Sequence, residues 1–189
     1  MPLTAIDPKP ALVVIDLQKG LATTATVHPF ADIVTRSARL ASAFRSRGLP
    51  VVLVTAAGTA PGRTESNSSR PAGFTPPPGW TEIVDEMDPQ DEDHRVTKLR
   101  AGAFHATDLH EYLQGLDVTQ VVLAGVATSM GVESTARAAH EHGYNVVLAT
   151  DAMTDRDAAL HENSVKRIFP RLGETATTDE ILEMLAKTH

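Results

Sequence analysis

The chain has 189 residues, 42% of them hydrophobic and 22% charged, which is long enough to bury a core without covalent staples. It contains no cysteine, which excludes disulfides, thiolate metal sites and a cysteine nucleophile. A formal charge of −7, from 17 basic and 24 acidic residues, disfavours a nucleic-acid or anionic-membrane partner, since both reward a basic face.

The first residues, Met1 to Asp7, lack a basic stretch followed by an apolar one, and no apolar run approaches the ~20 residues that a bilayer span needs. A cytoplasmic chain forming a single domain over residues 1–189 is therefore expected. The run 11–15 (Ala-Leu-Val-Val-Ile) reads as a buried strand, closed by Asp16. An acid at the end of such a strand is costly unless it is hydrogen-bonded, so Asp16 either caps a turn or works in a site. Over 29–47, Ile33, Val34, Ser37, Leu40, Ala41 and Phe44 share one side, Arg36, Arg39, Arg45 and Arg47 lie elsewhere, and Gly48 ends the pattern. That is an amphipathic helix packed on a sheet. Residues 50–55 form a second buried strand, and the strand–helix–strand succession implies a right-handed parallel crossover.

From 56 to 78 the pattern breaks into Gly58, Pro61, Gly62, a Ser-Asn-Ser-Ser run, Gly73 and three consecutive prolines. The alternation resumes afterwards, so this is an excursion from one sheet, of the kind used as a lid or an oligomer contact. Arg63 and Arg70 within it either grip an anionic substrate or are solvated. Trp80, the sole tryptophan, is expected to seal an interface or a pocket wall.

After an acidic patch at 85–93, residues 96–99 read as a short strand that delivers Lys98 to the end of the sheet. A lysine amid Val, Thr, Ala and Phe either snorkels to the surface or pairs with a carboxylate, and Asp16 is the natural partner. A helix follows over 107–116 with Leu109, Tyr112 and Leu113 inward. Next, Val121, Val122 and Leu123 read as a buried strand that stops at Gly125. Met130, Val132, Thr135, Ala136 and Ala139 then recur at helical spacing. The strand thus feeds a helix through a tight turn, leaving backbone N–H groups and a positive helix end at the carboxyl edge of the sheet, where open α/β folds place ligands. This turn is the candidate site. A further strand over 145–150 ends in Asp151, a helix covers 157–169, a short strand 173–176, and a closing helix 178–187 is capped by Thr178. Of the eight histidines none forms the i, i+4 pair around a glutamate that marks a zinc helix, so surface histidines are expected. Neither glycine-rich phosphate loop occurs, and no cofactor or metal is expected.

Three blocks stand out together: Asp16 within Val-Val-Ile-Asp-Leu-Gln, Lys98 within Thr-Lys-Leu-Arg-Ala-Gly-Ala-Phe, and Gly-Val-Ala-Thr-Ser-Met-Gly-Val-Glu-Ser-Thr-Ala at 125–136. In their order and context the chain resembles, over nearly its whole length, the isochorismatase-like hydrolase superfamily. The resemblance implies a three-layer, Rossmann-like α/β fold with a parallel sheet of about six strands in the order 3-2-1-4-5-6 and helices on both faces. It implies a catalytic set of Asp16, Lys98 and Gly131, a cis peptide at Val126–Ala127, and Ala127 and Gly131 as backbone donors to an oxyanion. Gln18, Arg63, Arg100, Phe104, Val126, Ala127 and Met130 are the residues it suggests for binding a small-molecule substrate. It also implies a homo-oligomer, a dimer or tetramer.

One departure from the family pattern bears on the chemistry. In most relatives the position of Gly131 holds a nucleophilic cysteine, whereas here a thiolate route is chemically unavailable, and Ser129 and Ser134 do not stand at the matched position. The Asp-x-His metal pattern of nicotinamidases after the second strand is absent. A glycine at this position resembles the true isochorismatases, in which the aspartate, held by the lysine, is a general acid that protonates the terminal carbon of a vinyl ether. Those enzymes carry a glutamine after the second strand and a tyrosine in the turn, where Ala57 and Ala127 stand here, which points away from isochorismate itself. The expectation is a cysteine-independent hydrolase of a small vinyl or enol ether or related carboxylate. The alternatives are a non-catalytic small-molecule-binding relative and an amidase whose nucleophile has been replaced by Gly131.

Overall fold

The structure, a computed structural model, describes residues 3–65 and 74–187. Its centre is a six-stranded parallel sheet built from β1 (Pro10–Ile15), β2 (Val51–Ala56), β3 (His94–Lys98), β4 (Gln120–Val126), β5 (Asn145–Thr154) and β6 (Glu174–Ala176). The strand order is β3-β2-β1-β4-β5-β6, so the chain winds outward in both directions from the β1–β4 pair. β1, β2 and β4 are buried along their whole length, because helices cover both faces of the sheet.

The pleat sorts the strand residues into two cores. Leu12, Val14, Leu53 and Val122 face α1 (Phe30–Arg45) and α5 (Thr178–Lys187), with Phe44 at 0% exposure on that side. Val13, Ile15, Val54, Val96 and Leu123 face the other way, onto α2 (Leu109–Gly115) and α3 (Glu133–Glu141), with Phe169 at 0% exposure. Each such side chain contributes roughly 1.5–3 kcal/mol by leaving water. α4 (Ala158–Asn163) starts at Asp157, whose carboxylate accepts from the Ala159 and Leu160 amides, and continues as a π-helical turn, Ser164–Ile168, rather than as one regular helix to Phe169. No helix of the described residues is long and apolar enough to cross a membrane.

Several boundaries differ from the sequence expectation, each for a physical reason. β5 runs past Asp151 to Thr154, because a register shift against β4 turns the Asp151 carboxylate to Thr178, accepting from its amide at 2.7 Å and its hydroxyl at 2.9 Å. The Thr178 hydroxyl is thereby occupied, and α5 is capped instead by Thr177. The Thr177 amide donates to the Glu180 carboxylate at 2.7 Å and the Thr177 hydroxyl accepts from the Glu180 amide at 3.3 Å, a capping box. β3 begins at His94 and ends at Lys98, and α2 begins at Leu109. Tyr112 is only half-buried, its ring stacked on His94 at 3.7 Å.

Gly125 shows how tightly the centre of the sheet closes. It pairs with Ile15 at φ +114°, and a β-carbon there would fall inside the van der Waals shell of the Ile15 carbonyl oxygen. Gly125→Ala is therefore expected to cost about 3 kcal/mol, from a disallowed φ plus overpacking against backbone. Urea denaturation checks this, and a loss below about 1 kcal/mol contradicts it.

Candidate active site

Asp16 is the residue at which β1 leaves the sheet. Its φ of +55° is in the left-handed region that aspartate enters more easily than most residues, and its amide donates to Val54 O at 2.9 Å. Lys98 is the last residue of β3, with β2 standing between it and β1. Two strand spacings, roughly 10 Å, separate their backbones, a gap that only a long side chain closes. The β2 residue paired with Lys98 is the small Ala56, which shares its face of the sheet and leaves the path across clear. The Lys98 ammonium donates to Asp16 Oδ2 at 2.7 Å, with 2% of Lys98 and 6% of Asp16 exposed.

The turn after β4 supplies the third side of the site. The Val126–Ala127 peptide is cis, and the chain then enters a π-helical turn, Thr128–Val132, that leads into α3. Gly131 is buried in this turn, and a β-carbon built on it would lie 3.4 Å from Asp16 Oδ2, 3.2 Å from Val126 O and 2.9 Å from Ile15 Cγ2. The turn is held firmly. Ala127 O accepts the Met130 and Val132 amides at 3.1 and 3.2 Å, Gly131 O accepts the Thr135 hydroxyl at 2.7 Å, and the Ser129 amide donates to Asp155 at 2.7 Å.

The isochorismatase domain profile matches residues 10–180, a span that contains all three elements. The chain belongs to the isochorismatase family. It is 37% identical over 181 residues to YwoC, an uncharacterized isochorismatase family protein of Bacillus subtilis, with 94% of each chain covered. It is 31% identical over 184 residues to the streptothricin hydrolase of Streptomyces noursei, covering 94% of this chain and 68% of that one. Among solved structures, an isochorismatase family protein from Burkholderia thailandensis superposes with a TM-score of 0.90 at 37% identity, covering 96% of this chain and 98% of that chain.

The other residues that the motifs single out in this isochorismatase-family protein divide by position. Val126 is buried beside Gly131, and Ala127 is half-buried at the head of the turn. Arg100 lies two residues beyond Lys98, half-buried, its Nη1 donating to Leu99 O at 2.8 Å and Thr59 O at 3.2 Å. Arg63 is exposed, and Arg70 lies outside the described residues. Met130 belongs to the turn but is 59% exposed, so it does not continue the inward stripe of Val132, Thr135, Ala136 and Ala139. Four residues at helical spacing were enough to fix the packed face, and Met130 precedes the first regular turn.

Two of the residues expected to contact substrate have partners within the fold. Gln18 is fully buried, and its amide accepts from Ala56 N at 2.7 Å and donates to Ala56 O and Trp80 O, both at 3.1 Å. It clamps the end of β2, with both of its N–H groups donated and one lone pair of its oxygen still free. Phe104 is buried, its ring packed against His142 and Tyr144 at ring-centroid distances of 5.2 and 6.0 Å, just beyond the end of α3. Trp80 presses its ring on Gly20, where any β-carbon would overlap it, and meets Phe74 edge-on at 5.5 Å.

The histidines are not all on the surface. His161 is 8% exposed, and its Nδ1 is 2.8 Å from the hydroxyl of the fully buried Thr128. A sequence signal for this exists. His161 stands in line with Val165 and Ile168, four and seven positions on, which is the apolar stripe of a helix.

Proposed function

We propose that this protein is a cysteine-independent hydrolase of a small enol or vinyl ether, or a related carboxylate, with Asp16 as general acid and Lys98 as the group that orients it. The observation that carries the reading is the buried 2.7 Å contact of Lys98 with Asp16 Oδ2, an oxygen that also lies 3.4 Å from a β-carbon built at the side-chain-free position 131. In amide-cleaving chemistry this is where a nucleophile would stand, and here no side chain stands between the turn and the Asp16 carboxylate. The relative named a streptothricin hydrolase supports hydrolysis as the reaction class.

The steps balance without a nucleophilic side chain. The Asp16 carboxyl gives its proton to the terminal vinyl carbon, the C=C electron pair forms the new C–H bond, and an oxocarbenium ion results. Water adds to that ion and returns a proton to the Asp16 carboxylate. The hemiketal then breaks its C–O bond, releasing an alcohol and a ketone. Arg100, whose Nη1 donates to Thr59 O and Leu99 O, would hold a substrate carboxylate through its remaining N–H groups, with Arg63 as a second cation. The backbone N–H groups of Ala127 and Gly131 would receive the hemiketal oxygen, and Val126 borders the reacting carbon.

Hydrolysis of an enolpyruvyl ether in heavy-oxygen water tests this route. The label is expected in the ketone, trapped by immediate reduction, and not in the alcohol, because water enters at the vinyl carbon. Label in the alcohol, or no turnover of enol ethers, contradicts it.

A further inference from the structure

Thr128, the first residue of the π-helical turn, has its hydroxyl 2.8 Å from His161 Nδ1, and both side chains are buried. The turn and the helix containing His161 also meet one step further on, where the Ser164 hydroxyl donates to Glu133 at 2.6 Å. A buried imidazole has little reason to stand at this junction except its hydrogen bond, since an apolar side chain would pack there without a desolvation cost.

We propose that His161 is a positioning residue for the candidate site, its hydrogen bond to Thr128 fixing the turn that carries Gly131 against Asp16. The groups that face it are His28, edge-on at a ring-centroid distance of 4.9 Å, Asp155, which binds the Ser129 amide of the same turn, and Glu162 beside it, while Glu133 on α3 is taken up by Ser164. Burial pushes the His161 imidazole below the ordinary histidine range, the His28 charge adds to this, and Asp155 and Glu162 oppose it. At neutral pH the ring is thus uncharged and holds Thr128. As pH falls it gains a proton, and Nδ1 can then only donate, with the Thr128 hydroxyl accepting.

The kinetic arm of the test rests on the hydrolase reading, and the spectroscopic arm does not. In 15N-labelled protein without ligand, the Ser129 and Gly131 amide resonances are expected to move with the His161 imidazole titration in wild type. In Thr128→Val, a change of similar shape, they should cease to follow it while the imidazole still titrates. Amides that stay unmoved in wild type, or that still follow the ring in Thr128→Val, overturn the inference. With an enolpyruvyl ether as substrate, His161→Ala should lower kcat by about tenfold to a hundredfold with KM nearly unchanged, because a small misplacement of the turn acts on the transition state. His161→Asn, which keeps a polar atom near the Nδ1 position, should recover most of the loss. A folded His161→Ala protein with wild-type kcat overturns the inference. If wild type turns over no enol ether, the hydrolase reading fails and the amide titration alone decides.

Discussion

Asp16→Asn is expected to lower kcat on an enol ether by at least about a hundredfold, with a much smaller change in KM, which is the range that general acid catalysis supplies. Asparagine tolerates the left-handed φ of +55° and keeps an oxygen for the Lys98 ammonium, so the fold and the 2.7 Å contact have a substitute partner. It has no proton to give to carbon. The measurement is steady-state kinetics beside a thermal melt, because replacing a buried carboxylate also leaves the Lys98 charge less well compensated. A variant that keeps wild-type kcat removes Asp16 from the chemistry.

Lys98→Met is expected to destabilise the protein by about 3–5 kcal/mol, because it leaves a charged Asp16 buried without its cation, and to lower turnover because Asp16 loses the group that orients it. With side-chain exposures of 3% and 8%, the two charges have almost no water to fall back on. The double variant Asp16→Asn/Lys98→Met should recover at least half of that stability, since a pair of uncharged groups replaces the pair of ions. Urea denaturation of the two single variants and the double variant gives the coupling. A loss below about 1 kcal/mol in Lys98→Met would mean that the pair behaves like an exposed one.

The buried strands and the meeting of Asp16 with Lys98 are legible in the sequence for different reasons, whereas the strand order is what the family resemblance implies. The strands are short continuous apolar runs, which only a sheet covered on both faces accommodates, as the burial of β1, β2 and β4 shows. A lysine at the end of an apolar strand needs a counter-charge, and Asp16 is the acid that β1, two strands away, brings to the same edge. What stays hidden depends on contacts distant in the chain. Asp151 reads as a strand end until Thr178 is seen to satisfy it, and the bonds of Gln18 to Ala56 and Trp80 are invisible until the fold brings them together. His161 is hidden differently. Its place in an apolar stripe is visible, but its partner Thr128 lies 33 positions away. Phe104 sits within a motif whose lysine reaches the site, yet the residues between turn it into the core beneath α3.

The most direct test of a cysteine-independent site is the rate of wild type and of Gly131→Cys on a matched panel of enol ethers and amides. A β-carbon at position 131 would meet Ile15 Cγ2 at 2.9 Å and stand 3.4 Å from Asp16 Oδ2, so the substitution fills the space assigned to substrate. Wild type is predicted to hydrolyse an enol ether and no amide, and Gly131→Cys to be no faster on either. A wild type inert on both classes, with amide hydrolysis appearing in Gly131→Cys, would contradict the account.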